Sequence, residues 1–276
     1  MDRYADIKAS LLRMAEEEIA IKAIIAIGSS VREEVGADEY SDLDLMIVTE
    51  EPAEWYSSAY PNRLGKVSIS FLESTLGGGK ERRCIYDADR DVDMMIFTPE
   101  QFETALDAGV VGWVMNRGYQ VLHDRNQYEV RIGQCVTLGH SCPELSEDAF
   151  DNLVNDFYFH NIWAYKKLKR GELWAAKMCV DAYLKNHLLK AIELYCYAVE
   201  RKDVWHDGRF IDQWAGDEIT KELPKCFAHY DKQEIKAALA ATNQLFERVS
   251  RAYAAEKEYA YPEQAARCAK KYLMIP

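Results

Sequence analysis

Two aspartates separated by one residue, Asp42 and Asp44 in SDLDLMIVT, are the side chains of this sequence best placed to do chemistry. On a strand the side-chain period is two, so both carboxylates face one side. Met46 and Val48 continue that face, while Leu43, Leu45 and Ile47 pack on the other. Two carboxylates on one face of an otherwise apolar strand call for a counterion, and a divalent cation is a natural one. Upstream, an apolar run ends in Gly28, Ser29 and Ser30, which offer backbone N–H donors and a hydroxyl where a phosphate can sit. Together these residues point to a site for a metal-bound nucleoside triphosphate. Chemistry at such a site would need clustered carboxylates on the protein rather than a covalent nucleophile. Against this stand a capping role for Asp42 and a surface role for Asp44; the spacing and the preceding Gly-Ser favour the metal.

The elements that must hold these residues follow from the pattern on either side. An amphipathic helix over residues 2–18 leads into a strand from Ile21 to Ile27, whose unbroken apolar run implies burial on both faces. The Asp42 strand follows, then a surface connection with a short helix, and further strands near Lys66–Leu72, Arg82–Tyr86 and Asp91–Phe97. Asp93, on the last of these, is the third candidate metal ligand. Its surroundings, with Asp87, Asp89 and Asp91, equally suit a solvated edge. Gly77, Gly78, Gly79 and Lys80 invite a phosphate-loop reading, but Glu81 stands where serine or threonine is required, so a hairpin connection is expected. Thr98-Pro99-Glu100 starts a helix that ends near Gly109, before a short strand in YQVLHD. From Ser146 the pattern turns helical, with long helices over about 147–170, 172–199 and 232–253 and another containing Ile219 and Leu223. The expectation is an α+β protein: a mixed sheet with helices over residues 1–140, then a helical bundle over 141–276, with ligand bound in a cleft between them.

Composition narrows the function. A net charge of −12 on 276 residues argues against nucleic acid as a partner, since phosphate backbones need clustered Lys and Arg. Acidity favours cationic partners, or simply solubility. Seven scattered cysteines without C-x-x-C imply reduced thiols and a cytoplasmic protein. No stretch is long and apolar enough to span a membrane. The pairs His123/His140 and Cys135/Cys142 fit no zinc spacing, and neither a Gly-x-Gly-x-x-Gly turn nor a serine elbow is present.

GSSVREEVGADEYSDLDL resembles the G-S…D-x-D signature of the nucleotidyltransferase superfamily, and nearly the whole chain resembles the aminoglycoside 6-adenylyltransferases that inactivate streptomycin. RDVDMMIF looks like that family's third-carboxylate strand, which supports Asp93. NDFYFHNIWAYKKLKRGELWAAKMCVD is similar without a gap to a stretch of the family's helical domain, and the C-terminal Tyr-Pro segment extends the match. The resemblance implies a nucleotidyltransferase-type fold and transfer of AMP from ATP to a hydroxyl of a cationic aminoglycoside, the 6-hydroxyl of streptomycin foremost. Asp42, Asp44 and Asp93 would hold Mg²⁺. Gly28, Ser29 and Lys177 would hold the triphosphate, with Arg32 beside them, because this chain carries Ser30 where the family commonly has arginine. Asp181 would be the general base, with Asp156 as its rival. Asp156 and Trp163 would contact the acceptor. Lys177 and Asp181, four apart on one helix face, are otherwise an ordinary ion pair. Other readings are a transferase acting on a different small hydroxylated acceptor and a noncatalytic nucleotide-binding regulator.

Overall fold

The computed structural model describes residues 2–32, 34–75, 79–136 and 144–273. Contacts divide the chain into two compact units, residues 1–140 and 141–276.

The first unit opens with α1 (Ala5–Glu17), which buries Ile7, Leu11 and Met14, and continues with β1 (Ile21–Ile27) and β2 (Leu43–Thr49). After α2 (Pro52–Tyr56) come β3 (Val67–Ser74), β4 (Lys80–Tyr86) and β5 (Arg90–Phe97), then α3 (Pro99–Asp107), α4 (Val110–Met115), β6 (Gln120–Asp124) and α5 (Tyr128–Cys135). The strands form one sheet in the order β3-β4-β5-β2-β1-β6. β2 and β5 run parallel, and the other pairs are antiparallel.

β1 is buried on both faces, as its composition requires. Ile24 and Ala26 join Leu43, Leu45 and Ile47 in a core under α1 and Trp55 of α2. Ala23, Ile25 and Ile27 join Met46, Val48 and Phe97 in a second core under α3, α4 and α5. α3 starts with a full capping box, Thr98 accepting from the Gln101 N–H while the Gln101 side chain accepts from the Thr98 N–H, and this fixes where β5 ends. Arg82 ties α2 to β4: buried, it donates to the carbonyls of Trp55 and Tyr56 and to Ser70. Asp42 stands one residue before β2 rather than on it, because the loop there is closed by Asp38 and Ser41, not by ladder bonds. Lys80 begins β4, its ammonium 4.7 Å from the centre of the Tyr56 ring, whereas Gly77 and Gly78, like His140 and Cys142, lie outside the described residues.

The second unit is helical. α6 (Glu147–Lys169) is capped by Ser146 and released at Gly171, whose φ of +80° a side chain would resist. The single long helix expected over 172–199 is interrupted. α7 (Leu173–Met178) passes into a π-helical turn, Cys179–Tyr183, before α8 (Leu184–Ala198). The helix expected around Ile219 and Leu223 is likewise divided, because Pro224 cannot continue it: α9 (Ile211–Trp214) and α10 (Asp217–Thr220) precede a 3₁₀ turn at Leu223–Cys226. α11 (Lys232–Lys257) and α12 (Glu263–Leu273) complete the bundle. Phe157 of α6 stacks on Phe246 of α11 with ring centres 3.5 Å apart, while Phe159, two residues on, is exposed. Among the described residues no helix is long and apolar enough to cross a membrane.

Candidate active site

β1 ends at Ile27, and a single 3₁₀ turn, Gly28–Ser30, carries the chain away. Ile27 pairs with Asp44 on β2, and Asp44 pairs with Asp93 on β5, so three neighbouring strands bring the turn and two carboxylates into one row. Gly28 has a φ of +73°, and a Cβ built on it would lie 2.9 Å from Asp44 Cγ and closer still to Oδ2. Glycine is therefore required twice, by the left-handed backbone and by the carboxylate lying against it. With Asp42, just ahead of β2, the row becomes a cluster: Asp42, Asp44 and Asp93 each place a carboxylate oxygen within 4.8 Å of the others.

The cluster suits a divalent cation. Hard cations take carboxylate oxygens, and three of them converging on one point would repel strongly without a positive charge between them. Asp93 is the buried member of the three, and its ionised form bears a desolvation cost. Burial pushes its pKa up to about 6; Arg83 opposes the shift, and the charges of Glu81, Asp42 and Asp91 add to it. Ser29 Oγ is a second open valence, buried and without a hydrogen-bond partner. Ser30 Oγ, in contrast, is turned back onto the Ile27 carbonyl at 3.3 Å. Arg32 is half-buried just after the turn.

Sequence reasoning missed Arg83. It faces Asp93 across the β4–β5 ladder, and its Nε lies 3.4 Å from Asp93, 2.9 Å from Glu73 and 3.0 Å from Glu81. Only the strand register reveals it, since Arg82 and Arg83 are adjacent in sequence and point to opposite faces. Asp87, Asp89 and Asp91 are exposed, as a solvated edge would be, but Asp93 is buried.

In the helical unit, Lys177 of α7 forms an ion pair with Asp181 in the π turn. That pairing occupies Asp181 Oδ2, while Oδ1 is buried and accepts no hydrogen bond. Lys185, one turn further on, donates to the Val180 carbonyl and to Thr242, both at 2.8 Å, and burial lowers it to about 8. Asp156 is differently placed. His160 Nδ1 lies 2.5 Å from Oδ1, His187 Nε2 3.2 Å from Oδ2, and the Tyr183 hydroxyl reaches both oxygens at 3.1 and 3.0 Å. Burial would raise its pKa, but the bonds from Tyr183, His187 and His160 prevail and hold it below the usual carboxylate range. Such a carboxylate is a poor base. Trp163 is half-buried, with the Lys167 ammonium 5.0 Å from its ring centre.

A mixed sheet carrying a Gly-Ser turn beside three convergent carboxylates, followed by a helical bundle, defines the molecule as a nucleotidyltransferase with a metal-coordinating acidic cluster. More specifically, the streptomycin adenylyltransferase family model matches residues 1–275, and the chain belongs to that family. No curated protein matches it. Among solved structures it is similar to an aminoglycoside 6-adenyltransferase from Bacillus subtilis, at 15% identity over 98% of this chain and 97% of that one, with a TM-score of 0.47. It is also similar to a nucleotidyltransferase-like protein from Exiguobacterium sibiricum 255-15, at 12% identity over 91% and 78% of the two chains, with a TM-score of 0.42.

Proposed function

We propose that the protein transfers AMP from ATP to a hydroxyl of a cationic aminoglycoside, with the 6-hydroxyl of streptomycin as the first candidate, and releases pyrophosphate. The observation that carries this reading is the meeting of Asp42, Asp44 and Asp93 against the Gly28–Ser29 turn, in a chain of this family. The acceptor oxygen attacks the α-phosphorus, the bond from phosphorus to the bridging oxygen breaks, and the acceptor's proton passes to a base. Mg²⁺ held by the three aspartates supplies charge compensation for the triphosphate and the developing negative charge.

The chain's own residues divide the remaining work. Gly28 and Ser29 donate to the phosphates, and the unsatisfied Ser29 hydroxyl is suited to that task. Lys177 neutralises phosphate charge, with Arg32 in support. Asp181 takes the proton through its unoccupied Oδ1. Asp156 and Trp163 belong to acceptor binding, Asp156 through charge rather than proton transfer. Residues 1–140 thus act as the catalytic domain and 141–276 as the acceptor-binding domain.

The test is to incubate the purified protein with Mg²⁺, each nucleoside triphosphate and a panel of aminoglycosides, and to identify products by mass and by NMR of the modified hydroxyl. The reading expects an adenylylated aminoglycoside and equimolar pyrophosphate. Nucleotide binding with no transfer to any panel member would sink it.

A further inference from the structure

The face of the sheet that carries the aspartates is unevenly covered. α3, α4 and α5 pack on it over β1, β2 and β5, and the core beneath them includes no residue of β3 or β4. Beyond β5 the face stays open, and its side chains there are not those of an ordinary solvated edge. Ile69 is 57% exposed and Phe71 49%. The register shows what they continue. Phe71 pairs with Arg83, Arg83 with Asp93, Asp93 with Asp44 and Asp44 with Ile27, a single row running from the edge strand to the Gly28 turn. Two residues along, Ile69 pairs with Ile85 and Ile85 with Asp91. The outer members of these two rows, together with Asp42, line an open cavity of about 200 Å³.

We propose that this cavity seats one ring of the acceptor, a polyhydroxylated cation, against Phe71 and Ile69 with its reacting hydroxyl directed towards Asp93, while Asp156 and Trp163 keep their share of acceptor binding. The inference rests on the nucleotidyl-transfer reading. In an in-line displacement the attacking and leaving oxygens lie on opposite sides of the α-phosphorus. Pyrophosphate leaves towards Gly28 and Ser29, at the end of β1, so the acceptor must arrive from the other side of the aspartates, over β5, β4 and β3. Three strand spacings separate β2 from β3, roughly 14 Å, so the rest of such a molecule can extend along the open strands beyond the cavity. The apolar wall suits the C–H face of a sugar. Charge selects the cation: with Asp42 and Asp93 committed to the metal, Glu73, Glu81 and Asp91 remain against the single charge of Arg83, whose guanidinium Glu73 and Glu81 already hold. An anionic acceptor would meet repulsion here.

The experiment compares wild type, Phe71→Ala, Phe71→Tyr and Asp91→Asn in steady-state transfer from Mg²⁺–ATP to streptomycin, or to whichever aminoglycoside of a panel the wild type modifies. Phe71→Ala should raise the acceptor KM about tenfold, the effect of losing an aromatic wall, while calorimetry shows unchanged affinity for Mg²⁺–ATP. Phe71→Tyr, which keeps the ring, should restore it. Asp91→Asn should raise the acceptor KM and weaken its dependence on salt. An acceptor KM in Phe71→Ala equal to that of a transferring wild type overturns the seat and leaves the transferase reading intact. A wild type that binds Mg²⁺–ATP yet modifies no panel member overturns that reading, and the seat with it.

Discussion

Gly28 and Asp93 show how single residues pay for this site. Gly28 takes a left-handed backbone so that the Asp44 carboxylate can lie against it. Gly28→Ala would add about 1–2 kcal/mol of backbone strain and push the carboxylate away, so both the melting temperature and divalent-metal affinity should fall. A variant with wild-type values for both would show that Asp44 needs no such approach. Asp93 makes a pH prediction. Its folded pKa of about 6 lies above the ordinary 3.8, so protonated Asp93 favours the folded state. That contribution is complete below about pH 4 and is lost as pH rises through about 6. In metal-free protein, Asp93→Asn should therefore gain stability relative to wild type as pH rises from about 4 to about 7, by an amount on the order of 2 kcal/mol. Metal binding must displace the same proton, so wild-type affinity for Mn²⁺ should increase across this window. A flat profile in both measurements would contradict the assignment.

At the scale of elements, the apolar patterning was legible because burial dictates it. The run Ile21–Ile27, the alternation after Asp42 and the Thr98-Pro99 helix start each led to the element observed. The period of two placed Asp44, Met46 and Val48 on one face of β2, but Asp42 lies ahead of the strand and reaches Asp44 from the loop. What the sequence hid was register. That Phe71, Arg83, Asp93 and Asp44 form one row depends on how three hairpin and crossover connections align, and no local pattern encodes that alignment. The π turn at Cys179–Tyr183 was equally hidden, because Leu173–Ala198 reads as continuous helix; one extra residue in the turn changes which side chains share a face. This affects the choice of base. Asp181 sits in that turn with one oxygen unoccupied, whereas Asp156 is bound by His160, Tyr183 and His187. Asp181→Asn should therefore lower single-turnover transfer by about 10²-fold or more with ATP affinity preserved, and Asp156→Asn should act mainly on acceptor KM. The reverse pattern would assign the base to Asp156.

At the scale of the whole molecule, two units each with its own core combine a rigid sheet with a helical bundle, and the chain carries a net charge of −12. The acidic balance suits a cationic acceptor and opposes nucleic acid, while Asp42, Asp44 and Asp93 converge at one end of β2 and β5. The central claim is that these aspartates hold a divalent ion and that this ion is needed for nucleotidyl transfer. The most direct measurement follows pyrophosphate release from ATP with streptomycin, with and without Mg²⁺, in wild type, Asp42→Asn and Asp44→Asn, alongside Mn²⁺ binding and circular dichroism. The account predicts Mg²⁺- and acceptor-dependent release by the wild type, and a loss of about 10²-fold or more in both variants, with weakened Mn²⁺ binding and native spectra. Wild-type rates and wild-type Mn²⁺ affinity in natively folded Asp44→Asn would contradict it.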